Sequence, residues 1–184
     1  NPNVHVILGV PFPYLSSYTK LINSSKVSIA AQNCHPKSSG AYTGEVSVEM
    51  LKSSGVPYVI IGHSERREYF KESNKELSDK VDCCFEYGLD PIFCCGEALE
   101  IREAGTQNSF VENQLKESLF HLSQEQFGKI LVAYEPIWAI GTGLTASSAQ
   151  AQAMHAHIRA TLIDHFGEVA NQTSLLYGGS CKPS

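Results

Sequence analysis

The stretch Tyr58-Val59-Ile60-Ile61-Gly62-His63-Ser64-Glu65-Arg66-Arg67 governs how the rest of the chain is read. Val59-Ile60-Ile61 is apolar without alternation, as expected of a parallel strand buried on both faces. A dense polar cluster follows at once, so chemistry is concentrated where the strand ends. Working outward, short apolar runs recur at 4–8, 27–31, 58–61, 91–94, 130–134 and 174–177, separated by stretches with helical periodicity. That β-α alternation predicts an α/β fold.

The intervening helices carry their own punctuation. Ser73-Asn74-Lys75-Glu76 reads as a capping box, followed by Leu77, Val81, Cys84 and Phe85 on one stripe, with Gly88 ending the helix. Over residues 147–166, Met154, Ile158, Leu162 and Phe166 stand four apart, and Gly167 suits the C-terminal stop. Val111, Leu115, Leu119 and Leu122 repeat at helical spacing, with Gly105 dividing that segment into a short piece and a longer helix. No linker or shift in composition interrupts the series, so one domain over residues 1–184 is expected. An open doubly wound sheet and a closed barrel both satisfy this pattern, and in both the functional groups gather at strand ends.

Composition narrows the partners. With 42% hydrophobic and 18% charged residues and a formal net charge of -5, the chain has no basic field for nucleic acid. No apolar stretch approaches the ~20 residues a membrane span needs, and Asn1-Pro2-Asn3 does not resemble a signal peptide. A cytoplasmic protein without membrane partners is expected. The six cysteines include the adjacent pairs Cys83-Cys84 and Cys94-Cys95, whose spacing matches no zinc template and predicts reduced, structural thiols.

Three strand ends carry chemistry. His63 stands beyond 58–61, where a helix starting there would aim its positive end at the imidazole, lowering its pKa and favouring the neutral ring as a donor. Glu135 stands beyond 130–134, its backbone held extended by Pro136. The segment Pro136-Ile137-Trp138-Ala139-Ile140-Gly141-Thr142-Gly143 sets two isoleucines and the single tryptophan between a proline and two glycines. Two readings stand side by side: a lid that closes over a ligand, and a loop packed on neighbouring helices. Beyond 174–176, Tyr177-Gly178-Gly179-Ser180 exposes backbone N–H groups beside a hydroxyl, which suits a phosphate and equally suits a plain turn. A neutral imidazole, a carboxylate base and a phosphate nest fit proton transfer beside the carbonyl of a small phosphorylated sugar. No P-loop or G-x-G-x-x-G occurs, so neither cofactor nor metal is expected.

Ile60-Ile61-Gly62-His63-Ser64-Glu65-Arg66-Arg67 and Ala133-Tyr134-Glu135-Pro136-Ile137-Trp138-Ala139-Ile140-Gly141-Thr142-Gly143 resemble the triosephosphate isomerase family. Ala31-Gln32-Asn33, residues 40–47, Cys94-Cys95-Gly96-Glu97 and Tyr177-Gly178-Gly179-Ser180 extend the likeness over the whole chain in family order. The resemblance implies a (β/α)8 TIM barrel, with Glu135 shuttling a proton of dihydroxyacetone phosphate through an enediolate to give glyceraldehyde 3-phosphate. It implies that His63 polarises the carbonyl as a neutral ring. It further implies substrate phosphate bound at Gly141 and Ser180, a latch at Tyr177 and Ser180, and support of the open lid by Glu97 and Trp138. Glu65 reads as a further catalytic participant and Cys94 as support near the site. Residues 34–45 resemble a loop inserted into a neighbouring subunit, with Thr43 near its tip, so a homodimer is expected.

The likeness runs from the family's second strand to its seventh. The first and eighth βα units, with a lysine and a pair of glycines, are therefore expected to be missing from these 184 residues. Two rivals remain open: a non-catalytic phosphosugar-binding protein, and a phosphosugar aldolase. The aldolase would need a Schiff-base lysine at a strand end, whereas Lys26, Lys52 and Lys129 all precede their strands.

Overall fold

Each apolar run becomes a strand and each periodic stretch a helix in the computed structural model, which describes residues 4–181. Asn1-Pro2-Asn3, on which the reading of the N-terminus rested, and Lys182-Pro183-Ser184 lie outside the described residues. In chain order the elements are β1 (Val6–Val10), α1 (Leu15–Leu21), β2 (Val27–Ala31), α2 (Val48–Ser53), β3 (Tyr58–Ile61), α3 (Ser64–Tyr69), α4 (Asn74–Glu86) and β4 (Asp90–Cys95). They continue with α5 (Leu99–Glu103), α6 (Gln107–Leu119), α7 (Gln124–Phe127), β5 (Leu131–Tyr134), α8 (Ser148–Phe166), α9 (Val169–Gln172) and β6 (Leu175–Tyr177). Two units can be distinguished, Asn1–Ile61 with Glu76–Ile92, and Gly62–Lys75 with Phe93–Ser184.

In the first unit β1, β2 and β3 are neighbours in that order and pair in parallel, with Val6 opposite Val27, Val10 opposite Ala31 and Ala30 opposite Tyr58. Ile29, Leu51, Val59, Ile61, Leu77, Val81 and Leu89 are buried and form its core. Lys80 is buried with them, where its ammonium donates to Asn33 Oδ1 at 2.9 Å and stands 3.7 Å from Glu76. A buried cation is tolerated because both partners meet it there. One expectation is corrected here: the first strand runs from Val6 to Val10 rather than over 4–8. Val6 is 43% and Leu8 41% exposed, because β1 pairs along one edge only among the described residues.

In the second unit β4, β5 and β6 follow one another, and the parallel β5–β6 register sets Val132 opposite Leu175 and Tyr134 opposite Tyr177. Met154, Ile158, Leu162 and Phe166 form the buried stripe of α8, and Val111, Leu115 and Leu119 that of α6. The rings of Phe166 and Phe127 stack at 3.9 Å. Ser147 and Gln150 close a capping box at the start of α8, and Gly167 ends it with φ +68. Gly105, at φ +71, separates α5 from α6 as the periodicity requires. No helix among the described residues is long and apolar enough to cross a membrane.

Candidate active site

The second unit contains both His63 and Glu135. The chain leaves β3 through Gly62, at φ +78, and His63 caps α3 with an extended backbone. The ring Nδ1 accepts the backbone N–H of Glu65 at 3.3 Å, which leaves the proton on Nε2 in the neutral ring. That Nε2 lies 2.9 Å from Glu135 Oε1. The Glu135 carboxylate is buried and also accepts the Ser64 N–H at 3.0 Å and the Ser64 hydroxyl at 3.4 Å. These three donors satisfy the buried carboxylate.

The expected lowering of the His63 pKa is overturned in this arrangement. The hydrogen bond to Glu135 is the largest influence and raises the ring above 6.5, reinforced by the charges of Glu135 and Glu65, while burial opposes it. The helix end still acts on Nδ1, but a carboxylate at 2.9 Å outweighs partial charges of about half an electron.

Arg67 braces this corner. Its guanidinium donates to Gly62 O at 2.8 Å, Asn74 Oδ1 at 2.7 Å and Cys94 O at 3.0 Å, so one side chain ties the exit of β3 to the end of β4. Cys94 thus meets Arg67 through its carbonyl. Its thiol is pushed well up by burial, and that of Cys95 to about 12, so neither is a reactive thiolate. All six cysteines are free thiols, and five of them are buried.

The segment after Glu135 has two halves. Pro136, Trp138 and Ala139 are buried, and a short 3-10 turn spans Ile137–Ala139. The Ile137 N–H donates to Glu97 O at 3.1 Å. The Thr142 hydroxyl returns to Trp138 O at 2.7 Å, while Gly141 and Gly143, at φ +68 and +82, are exposed. Beneath it, Glu97 is fully buried. Its Oε1 accepts from Trp138 Nε1 at 3.0 Å, Tyr134 OH at 2.9 Å and Arg102 Nη1 at 3.0 Å. The Arg102 guanidinium lies 4.7 Å over the Trp138 ring. Burial, and then Glu97, push the Tyr134 phenol far up.

Tyr177-Gly178-Gly179-Ser180 runs beside this segment. The Gly178 N–H donates to Tyr134 O at 2.7 Å, and a Cβ there would stand 3.1 Å from Glu135 Cγ. Ser180 is exposed, with its N–H 3.4 Å from Ala139 O. The Tyr177 hydroxyl is buried without a hydrogen-bond partner. Of the other sequence candidates, Glu65 reaches His63 by its backbone, its carboxylate being 71% exposed and 3.8 Å from Nδ1. Thr43 belongs to the first unit, in an exposed loop closed at its base by His35 N–H to Val46 O at 2.9 Å.

Sequence reasoning passed over Ser64, Arg67 and Gln114. Ser64 and Arg67 sit inside the quoted motif, yet nothing in spacing says which polar residue of a cluster turns inward. Gln114 had a signal: it is a polar residue on the buried face of α6, between Val111 and Leu115.

A model of the family described as triosephosphate isomerase matches residues 1–184. The chain is 58% identical to the triosephosphate isomerase of Cytophaga hutchinsonii over 182 residues, 98% of this chain and 72% of that protein. It is 56% identical to that of Bacteroides fragilis over 184 residues, covering 100% and 73%. The figure for Fusobacterium nucleatum is 52% over 182 residues, covering 98% and 72%.

Proposed function

Because the chain belongs to the triosephosphate isomerase family, we propose that its catalysis runs through Glu135 and His63. The family fold is the (β/α)8 barrel, of which these residues supply parallel βα units. The activity is the interconversion of dihydroxyacetone phosphate and D-glyceraldehyde 3-phosphate, a step of glycolysis and gluconeogenesis. The observation that carries the residue assignment is the 2.9 Å approach of His63 Nε2 to a buried Glu135 carboxylate.

Glu135 takes a proton from the carbon beside the substrate carbonyl, which requires it to exchange its Ser64 bonds for contact with substrate. His63 Nε2–H turns from Glu135 to the carbonyl oxygen as negative charge develops there, and the ring helps move the hydroxyl proton from the adjacent oxygen to that one, while Glu135 returns its proton to the neighbouring carbon of the enediolate. Gly141 and Ser180 supply N–H groups for the phosphate. Pro136 to Gly143 act as a lid, a motion for which this family is a standard example. Glu97 holds the lid through Trp138, Tyr177 and Ser180 latch it, and Glu65 positions His63 by its N–H. The lid matters because an enediolate beside a phosphate readily eliminates it in water.

A single domain over residues 1–184 and a cytoplasmic location belong to the same reading, supported by the uninterrupted family match and the substrate class. A homodimer through the loop of residues 34–45 is supported by Tyr42, 45% exposed at the tip of a segment whose base is tied down. The deciding experiment is a coupled isomerase assay of Glu135→Gln in the full chain. A fall in kcat of about 10²- to 10⁴-fold is expected; parent-like turnover would remove Glu135 from the role of base.

A further inference from the structure

We propose that Gln114 is a positioning residue for the reaction, setting the height of Glu135 through Gly96. The inference rests on Glu135 being the base. Beyond the last residues of β4 and β5 the two chains continue side by side, with Glu135 N–H donating to Cys95 O at 2.8 Å and Ile137 N–H to Glu97 O at 3.1 Å. Gly96 lies between those two bonds. A Cβ at Gly96 would overlap the Glu135 carbonyl oxygen, so the two backbones touch with no side chain between them. Whatever sets the position of the Gly96 backbone therefore sets that of the Glu135 backbone.

Gln114 sets it. From the buried face of α6 its amide meets both polar groups of Gly96, accepting the N–H at 2.9 Å and donating to the carbonyl at 3.2 Å. Gln114 is itself only 6% exposed. A carboxamide presents a donor and an acceptor side by side, so Gln114 can meet both polar groups of Gly96 as an adjacent strand would. A helix side chain is anchored by the packing of Val111, Leu115 and Leu119 around it, all fully buried. The catalytic backbone is thus registered against the buried face of α6 and not against a loop.

Two variants in the full-chain isomerase test this, with Glu135→Gln as the separate control for the base. Gln114→Met keeps the volume and removes both bonds. Its kcat is expected to fall about ten- to a hundredfold with KM within about twofold, the signature of a displaced base. Gln114→Glu restores a donor only when its carboxyl is protonated, because the neutral acid mimics the amide while the carboxylate faces the Gly96 carbonyl. Its kcat relative to the parent should therefore rise as pH falls. A Gln114→Met enzyme with lowered melting temperature but parent kcat overturns the proposal, as does a pH-independent ratio for Gln114→Glu should the methionine variant not fold. Parent-like activity in Glu135→Gln would instead remove the base assignment.

Discussion

His63 carries two opposed influences, and their balance is measurable. The raised ring pKa owes most to Glu135, so Glu135→Gln should lower the His63 midpoint in an NMR titration. An unchanged midpoint would mean that the pair does not persist in solution. The linkage has a definite sign. A pKa raised on folding stabilises the native state below the ordinary value of 6.5 and loses that contribution as pH rises through the folded value. The stability gap between parent and Glu135→Gln should accordingly narrow from mildly acid to alkaline pH. Gly96→Ala tests the backbone contact: overlap of its Cβ with Glu135 should cost about 1–3 kcal/mol in urea melts and reduce kcat as well. That Glu135 and His63, the proposed reactive pair, each stand directly beyond a strand was legible in the sequence, since each follows an apolar run. The direction of the His63 shift was not, because it depends on a carboxylate 72 positions away in the chain.

Elements differ in what maintains them. Helix α8 is defined at its start by the Ser147–Gln150 capping box and along its length by four apolar residues. Packing outweighs the cap. Ile158→Ala, at a fully buried position, should destabilise by about 2–5 kcal/mol, and Ser147→Ala by about 1 kcal/mol. Chemical denaturation of both variants checks that ranking. The periodicity of α8 and the break at Gly105 were both readable, because helix stripes and glycine stops are local. Helices α7 and α9, of four residues each, are too short for a stripe to repeat, although Ser123 with Gln126 and then Gly128 punctuate α7. The position of β1 was misjudged by two residues for a related reason, since an apolar run shows that a strand exists but not where its pairing with β2 begins.

At the scale of the molecule, each unit has exposed apolar strand residues that favour association, Val6 and Leu8 of β1 in the first and Leu176 of β6 in the second. A protein limited to residues 1–184 should bind a hydrophobic dye and self-associate in proportion to concentration, and Leu8→Lys should reduce both. Light scattering that shows an unchanged monomer for the parent would count against this and against the loop-mediated homodimer. The order of βα units, their parallel character, the cysteines as thiols and the strand-end positions of the proposed pair His63 and Glu135 all follow from one-dimensional pattern, because hydrophobic period and strand-end position are encoded by neighbours along the chain. Which side chains serve that pair was decided only by tertiary structure. Ser64 turning inward, Arg67 spanning Gly62 and Cys94, and Gln114 gripping Gly96 depend on distances between groups far apart in sequence, and a linear pattern holds no record of those distances.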